Sequence, residues 1–266
     1  MSSEKFVEID DVRLHFGGSK GTLAVDHLNM SVGAGELTAV VGPSGCGKSS
    51  LMKLVAGLMP PTSGTIRVNS TPVTRPLKVV GMAFQNPTLL PWRTTLENLM
   101  LPLQIVRPYR SSFNADRPKH EANAMRLLDR VGLRGFEDQF PWQLSGGMQQ
   151  RASLCRALIH KPSLLMLDEP FGALDAFTRE DLWDVLQTIW MEEKFTTVLV
   201  THDLREAVYL ADTVHVMSAR PGKIVATYRV DLPRPRDPET PFLSEFTDLV
   251  HTMREQIRKE RAGAAQ

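Results

Sequence analysis

The sequence has no excess of either charge, since its 266 residues include 31 lysines and arginines against 30 aspartates and glutamates. A protein that binds nucleic acid through the phosphate backbone needs a strong positive surface, and a balanced composition gives no such field. We therefore expect no nucleic-acid partner. Composition by itself points to no other kind of partner.

Long apolar runs and cysteines are also scarce. The longest apolar runs, such as LLML at residues 164–167, are far shorter than the roughly 18 residues that cross a bilayer, so we expect no membrane span. The N-terminal MSSEKFVEID lacks the basic start and apolar stretch of a secretory signal, which predicts a protein that stays where it is made. Cys46 and Cys155 have no metal-ligand spacing, so we expect small buried residues rather than reactive thiols, in a reducing cytoplasm.

The spacing of apolar residues predicts an α/β protein. Residues 6–16 and 23–32 alternate apolar and polar residues, as in antiparallel strands with one wet face, whereas LTAVVG, LLMLDE and TVLVTHD are the continuous apolar runs of buried parallel strands. The first helix should end at the pair of prolines after residue 59. Helical spacing predicts helices over Lys48–Leu58, His120–Val131, Gly147–Ile159, Phe177–Glu193 and Leu204–Leu210.

Two parts of the chain differ from this alternation. Residues 91–160, approximately, contain no convincing buried strand and are predicted to form a mainly helical subdomain inserted between strands. From residue 233 the chain is a proline-rich charged linker, PRPRDPETPF, followed by a polar amphipathic helix. We predict one domain over residues 4–232 and a tail over 233–266, which either packs on the body or serves regulation or a partner.

Residues 42–50, GPSGCGKSS, follow a predicted buried strand, open a helix and contain the spacing GxxxxGK[ST]. In such a loop the backbone amides and the helix N-terminus surround phosphate oxygens. Lys48 would reach the β- and γ-phosphates of a nucleotide, and Ser49 would hold Mg²⁺. The predicted nucleotide-binding residues of this loop are Gly42, Pro43, Ser44, Gly45, Cys46, Gly47, Lys48, Ser49 and Ser50.

Further polar residues lie at the predicted ends of buried strands, on the side where α/β sheets bind ligands. Asp168 and Glu169 follow LLML; adjacent acids there could simply cap a turn, but beside a phosphate loop they favour a magnesium site at Asp168 and a water-polarising carboxylate at Glu169. His202 ends the strand TVLVT, and as a lone histidine it is also consistent with a structural role.

The stretch LSGG, residues 144–147, places two glycines directly ahead of a predicted helix. A serine cap would be enough for a solvated helix start, and glycine costs up to about 1 kcal/mol in backbone freedom. We therefore expect something to approach this backbone closely.

The phosphate loop, LSGGMQQR, LLMLDEP, ALD and TH occur in this order, and with them the chain resembles the ATP-binding-cassette (ABC) ATPases over roughly residues 6–230. The resemblance implies a P-loop NTPase ABC fold with a RecA-like core, an antiparallel β subdomain and an inserted helical subdomain. It implies hydrolysis of ATP to ADP and phosphate with Mg²⁺. Ser145, Gly146 and Gly147 would grip the γ-phosphate held by a second copy, and Asp175 would lie in the loop crossing that dimer interface.

Three more roles follow from the resemblance alone. Gln85 in MAFQNP would contact magnesium and the attacking water, as catalytic and metal-binding residue. Phe16 lies where the family places an aromatic ring under the adenine, although a strand-end core residue is the alternative. His202 would sense the γ-phosphate as a catalytic residue together with Glu169.

Several longer stretches, among them FQNPTLLPWRTTLENLMLPL, are similar to the nitrate/sulfonate/taurine group of bacterial importers. This similarity implies an ATP-bound homodimer, two integral-membrane permease subunits, a substrate-binding protein acting indirectly, and a peripheral position on the cytoplasmic face of the inner membrane. Leu89, Leu90 and Trp92 would receive a permease helix, unless they pack inward.

Other functional classes fit the sequence less well. The alternatives are a soluble ABC ATPase not coupled to transport, a P-loop kinase or GTPase, and a docking subunit with an inactive site. The kinase or GTPase would leave LSGG without a role, and an inactive site conflicts with the presence of Lys48, Asp168, Glu169 and His202. The sequence does not indicate the transported solute.

Overall fold

The computed structural model describes residues 5–17, 21–172 and 174–263. The chain divides into two compact units, unit 1 with residues 1–77 and 193–266 and unit 2 with residues 78–192. The strands are β1 (Lys5–Phe16), β2 (Thr22–Gly33), β3 (Leu37–Val41), β4 (Ser63–Val68), β5 (Thr71–Pro72), β6 (Val80–Ala83), β7 (Leu164–Asp168), β8 (Thr196–Thr201), β9 (Thr213–Met217) and β10 (Ile224–Arg229). The α-helices are α1 (Lys48–Val55), α2 (Thr95–Ile105), α3 (Tyr109–Ser112), α4 (Arg117–Arg130), α5 (Gly146–Leu158), α6 (Ala176–Glu193), α7 (Leu204–Leu210) and α8 (Ser244–Gly263).

Unit 1 contains an antiparallel sheet in the order β2-β1-β4-β5. Alternate residues of β1 face its core on each side of a register shift between Ile9 and Val12, so that Val7, Ile9, Val12 and Leu14 are buried. The alternating pattern of residues 6–16 therefore predicted the strand and its wet face correctly.

Unit 1 also contains parallel pairs in which β3 lies between β8 and β9, with β10 antiparallel to β9. Every residue of β3 and of β8 is buried. Strands covered on both faces lack polar alternation, and this confirms the prediction made from the runs LTAVVG and TVLVTHD.

Unit 2 has β6 parallel to β7, and helices follow β6 along the chain. No strand occurs among the described residues from 84 to 163. The limits of the predicted subdomain, approximately 91–160, stay a prediction. The core of these helices is formed by Leu99, Met100, Leu103, Ala124, Leu128, Val131, Leu133, Ala152, Cys155 and Ile159.

The first helix ends earlier than predicted, because α1 stops at Val55 rather than at Leu58. Gly57 adopts a left-handed conformation with φ 72°, and the amide of Leu58 donates to the carbonyl of Lys53 at 2.9 Å. This pattern is a glycine-terminated Schellman ending, so the glycine and not the later proline pair stops the helix. The other predicted helices begin and end within three residues of the prediction.

The tail is a packed part of unit 1. Arg236, in the segment predicted as a proline-rich linker, is only 2% exposed, and a 3-10 turn at Thr240–Phe242 leads into α8. The amphipathic face of α8 buries Phe246, Val250 and Met253, and the helix packs on α7 and β9. The structure thus favours the alternative in which the tail folds on the body.

Cys46 and Cys155 are both buried, as predicted, and both are free cysteines. Burial raises the pKa of the Cys155 thiol to about 12, so that it stays neutral at physiological pH. Among the residues that the structure describes, no helix is both long and apolar enough to span a bilayer.

Candidate nucleotide-binding site

The phosphate loop of unit 1 connects the end of β3 to the start of α1. Gly45 and Gly47 have φ angles of 75° and 107°, which are left-handed conformations that L side chains rarely adopt. Gly47 is the N-cap of α1 and gives it no side-chain cap, so the first amides of the helix depend on another acceptor. A Cβ built on Gly45 would have no atom within 4 Å, and the loop is open on that side.

Lys48 is 6% exposed, and its ammonium group is held inside the loop. Nζ donates to the carbonyl oxygens of Gly42 at 2.9 Å and Pro43 at 3.0 Å. The sulfur of Cys46 lies 3.9 Å from Nζ, and burial raises the pKa of this thiol although the ammonium opposes the shift. The loop therefore holds a buried cation beside a neutral thiol.

The strand register of unit 1 brings His202 to the edge of the sheet where the phosphate loop begins. Val41 at the end of β3 pairs with Thr201 at the end of β8, and both strands run in the same direction. His202 follows Thr201 and is exposed, while the Asp203 amide donates to Thr201 Oγ1 at 3.0 Å.

Phe16 is 41% exposed at the end of β1, so it is not a core residue of that strand. It pairs with Thr22 of β2. Two residues further along β2, the carbonyl of Ala24 is the nearest atom to a Cβ built on Gly47, at 3.1 Å. The start of β2 thus passes directly beneath the phosphate loop.

In unit 2, Gln85, Asp168 and Glu169 share one edge of the β6–β7 pair. Ala83 pairs with Leu167 in parallel register, so the residues that follow each strand leave the sheet at the same end. Gln85 is exposed, whereas Asp168 and Glu169 are half-buried. Glu169 has φ 48°, which costs an L residue about 1–2 kcal/mol and is common at functional sites.

The LSGG motif forms the N-terminus of α5. Ser145 is the N-cap, and its hydroxyl accepts a hydrogen bond from the Met148 amide at 3.3 Å. A Cβ built on Gly146 would have no neighbour within 4 Å. A Cβ on Gly147 would make only ordinary contacts, at 3.4 Å with Leu174 and 3.5 Å with Thr178. Within the described part of the chain, packing therefore requires neither glycine.

Asp175 directly follows Leu174, one of the neighbours of Gly147, and directly precedes α6. Its carboxylate accepts a hydrogen bond from the Thr178 amide at 3.0 Å. This bond, together with one from the Thr178 hydroxyl, lowers the pKa of Asp175. The carboxylate is a helix cap, and it stays charged at neutral pH.

Arg156 and Gln150 were not predicted from the sequence, yet both hold the loop that carries Gln85. Gln150 donates to the carbonyl of Phe84 at 3.0 Å, and Arg156 donates to those of Pro87 at 2.8 Å and Thr88 at 2.9 Å. The signal in the sequence was a charged residue inside the apolar helical run LCRAL, because a guanidinium taken out of water needs acceptors.

The predicted metal donors are a hydroxyl, an amide and a carboxylate, from Ser49, Gln85 and Asp168. Hard oxygen donors of this kind suit Mg²⁺, which is typically bound through few protein ligands and retains water. No cluster of three or more histidine, cysteine or acidic residues occurs in the described ranges.

Known proteins resemble this chain in sequence and in fold. The family described as "ABC transporter" matches residues 25–172. The taurine import ATP-binding protein TauB of Yersinia pestis is 44% identical over 206 residues, which are 77% of this chain and 78% of the relative. The aliphatic sulfonates import ATP-binding protein SsuB of Bacillus licheniformis is 43% identical over 243 residues, 91% of this chain and 89% of the relative.

Among solved structures, the ATP-binding cassette MJ0796, a dimer in a post-hydrolysis state bound to ADP and Pi, superposes with a TM-score of 0.74. It is 28% identical, and the match covers 85% of this chain and all of the other. Together with the phosphate loop, the LSGG helix start and the acidic strand end, these matches establish that the chain belongs to the ABC transporter family, as an ATP-hydrolysing subunit.

Proposed function

We propose that the chain drives uptake of a small sulfonate, of the taurine and aliphatic sulfonate class, by binding and hydrolysing ATP with Mg²⁺ on the cytoplasmic face of the inner membrane. Two of its relatives are named as import ATP-binding proteins for taurine and for aliphatic sulfonates. The observation that carries the ATPase function is the phosphate loop, with its two left-handed glycines and the buried ammonium of Lys48.

In this proposal the phosphate loop binds the nucleotide first. The amides at the start of α1, which has no side-chain cap, donate to phosphate oxygens, and the helix dipole favours the same charge. When the nucleotide binds, the Lys48 ammonium group leaves the carbonyl oxygens of Gly42 and Pro43 and donates to the β- and γ-phosphates instead. The ammonium moves only a short way, because the phosphates bind in the same loop. Phe16, being partly exposed, stacks on the adenine.

Hydrolysis is assigned to Glu169, Gln85 and His202. Glu169 accepts a proton from the attacking water, Gln85 orients that water, and His202 donates to the γ-phosphate. Ser49, Gln85 and Asp168 would hold Mg²⁺, which when bound neutralises charge on the β- and γ-phosphates. The left-handed backbone of Glu169 fixes the direction in which its side chain leaves the strand end.

Dimer formation is proposed because of the two glycines of LSGG. Glycine at the start of α5 weakens the helix, and Gly146 and Gly147 have room for a Cβ among the described residues. Glycines that weaken a helix, and that packing among the described residues does not require, indicate a contact with another molecule. We infer that Ser145, Gly146 and Gly147 grip the γ-phosphate of ATP held by a second copy, with Asp175 at the interface.

Transport requires membrane partners, which we propose to be two permease subunits served by a substrate-binding protein. The segment after Gln85 is the proposed docking surface for a permease helix. Leu89 packs against the helical core of unit 2, whereas Trp92 is 70% exposed. The exposed indole of Trp92 therefore supports docking, whereas Leu89 packs inward, as in the alternative prediction.

The substitution Glu169→Gln tests this function. It keeps the size of the side chain but removes the carboxylate that accepts the proton, so ATP turnover should fall by about 10²-fold or more while ATP still binds. The closed dimer should then accumulate, and light scattering with ATP and Mg²⁺ should give about twice the 29.7 kDa mass of one chain.

Wild type and Glu245→Gln, an exposed position on α8, serve as matched controls and should turn over ATP normally. ADP should not replace ATP in the dimerisation assay. Wild-type turnover in Glu169→Gln, or equal dimerisation with ADP, would contradict the roles assigned to Glu169 and to LSGG.

A further inference from the structure

The C-terminal end of α7 lacks a cap of its own. The helix has only seven residues, Leu204–Leu210, and no basic residue in its last turn. The residue that follows it, Ala211, is extended, so no left-handed glycine closes the helix. The last carbonyl groups of a helix have no partner within it, and these must find theirs elsewhere.

Arg236 supplies that partner from 25 residues further along the chain. Its Nη1 lies 2.9 Å from the carbonyl oxygens of Val208 and Tyr209 and 2.8 Å from that of Ala211. The guanidinium is almost wholly buried, and its charge lies at the negative end of the helix dipole. Burial lowers the pKa of Arg236 to about 10, so it stays charged at physiological pH.

Arg234 completes the cap and ties it to the strand that leads to the phosphate loop. Its Nη2 donates to the Leu210 carbonyl at 2.5 Å and to Asp212 Oδ1 at 2.9 Å. The other oxygen of Asp212 accepts a hydrogen bond from the Leu37 amide at 3.0 Å, and Leu37 is the first residue of β3. One network therefore connects the tail, the end of α7 and the start of β3.

The tail itself is held in place from both sides. The hydroxyl of Tyr209, within α7, donates to the Arg236 carbonyl at 2.7 Å. On the other side α8 packs against α7 through the buried face that contains Phe246. The arginine cap is thus a fixed element of unit 1.

The opposite end of α7 begins directly after His202. Asp203 is the N-cap, with its carboxylate accepting from the amides of Arg205 and Glu206. A seven-residue helix is only about 10 Å long and moves as one body, so its capped end fixes its starting end. We propose that Arg236 and Arg234 are positioning residues for ATP hydrolysis, which hold His202 in place through α7. This inference rests on the proposed role of His202.

The substitution Arg236→Lys tests the inference, because a lysine keeps the charge but cannot present a planar fork to several carbonyls. Hydrogen exchange should become faster in peptides from α7 and stay unchanged in peptides from α1. The kcat for ATP should fall about tenfold or more, since small misplacements of a catalytic group are costly, while KM changes less than about twofold. Arg229→Lys is the matched control, as Arg229 is 70% exposed beside Asp231.

A double-mutant cycle separates this mechanism from general damage. If Arg236 acts through His202, adding Arg236→Lys to His202→Ala should cause no further loss of kcat. Multiplied losses, or unchanged exchange in α7, would overturn the positioning role. If His202→Ala alone keeps full activity, the proposed function of His202 is wrong, and so is the positioning role of Arg236 and Arg234. Faster hydrogen exchange of α7 in Arg236→Lys would then still show that Arg236 caps this helix.

Arg234→Lys provides a second variant in case Arg236→Lys does not fold. The Arg234 side chain is 13% exposed, whereas Arg236 is 2% exposed, so replacing Arg234 is the milder change. The same combination is expected, with faster exchange in α7 and a lower kcat that is absent in the His202→Ala background. Normal exchange and normal kcat in a folded Arg234→Lys protein would contradict the proposal.

Discussion

At the scale of single residues, this chain accepts unfavourable local states where function is assigned. Lys48 is a buried cation, Glu169 has left-handed backbone, and Gly146 and Gly147 occupy the first turn of a helix. Each of these states costs free energy in the isolated chain. At these positions the native residue lowers the stability of the isolated chain, so a substitution there can raise stability while it lowers activity.

Gly146→Ala should make the isolated chain more stable and the enzyme less active. Alanine favours the helix by about 0.5–1 kcal/mol over glycine, and a Cβ at this position meets no atom within 4 Å. The same methyl group would obstruct the proposed approach of a second copy's ATP. Thermal denaturation of the nucleotide-free protein and steady-state ATPase assays measure the two effects.

Ala122→Gly is the mirror control, at an exposed position of α4. It should lower the stability by a similar amount and leave ATP turnover unchanged. An active and stabilised Gly146→Ala protein would argue against close approach at LSGG.

At the scale of elements, the sequence predicted those parts whose determinants are local. The phosphate loop, the buried strands β3, β7 and β8, and α7 depend on neighbouring residues, and they were found from GxxxxGK[ST], apolar runs and helical spacing. Strands β4, β5, β6, β9 and β10 were not predicted. Of these, β5 and β10 are short or partly exposed and bury too little to leave a pattern. The end of α1 was misplaced because the proline pair looked like a stronger stop signal than Gly57.

Contacts over a long sequence distance were the part that could not be predicted. In the sequence, Arg236 is one of several charged residues in a proline-rich segment. Its role could not be predicted, because its acceptors are the carbonyl oxygens of residues 208, 209 and 211, far from it along the chain. Arg156 stands out as a charge in an apolar helical run, but the sequence does not indicate that its acceptors lie in the loop after Gln85, more than 60 residues away. Propensity and spacing carry no information about partners that only the tertiary fold brings together.

The docking segment of unit 2 gives a prediction at this scale. Trp92→Ser should abolish association with the permease subunits and leave the basal ATPase activity unchanged, because the indole is 70% exposed. Co-purification from membranes that contain the permease measures the association.

Phe242→Ser controls for the loss of an exposed aromatic ring elsewhere, as Phe242 is 76% exposed in the tail. It should co-purify normally. Full co-purification and transport with Trp92→Ser would show that Trp92 has no role in docking.

At the scale of the whole molecule, the proposed dimer has two composite sites, each made from the phosphate loop of one copy and the LSGG of the other. Lys48→Ala damages the first part, and Ser145→Arg damages the second. A mixture of the two variants forms dimers in which one site carries both lesions and the other carries none. We expect ATP hydrolysis in the mixture above that of either variant alone.

The double variant Lys48→Ala/Ser145→Arg provides the control. Mixed with either single variant it leaves no intact composite site, so no recovery should occur. Equal activity in both kinds of mixture would contradict sites shared between copies.

The division of the chain into units also has a consequence for its synthesis. Unit 1 consists of residues 1–77 and 193–266, whereas unit 2 is the continuous stretch 78–192. Strand β3 leaves the ribosome early, but its parallel partners β8 and β9 begin only at residues 196 and 213. At about 5–20 residues per second, on the order of ten seconds or more pass between synthesis of the phosphate loop and synthesis of β8 and β9. Unit 2 is therefore fully synthesised before unit 1.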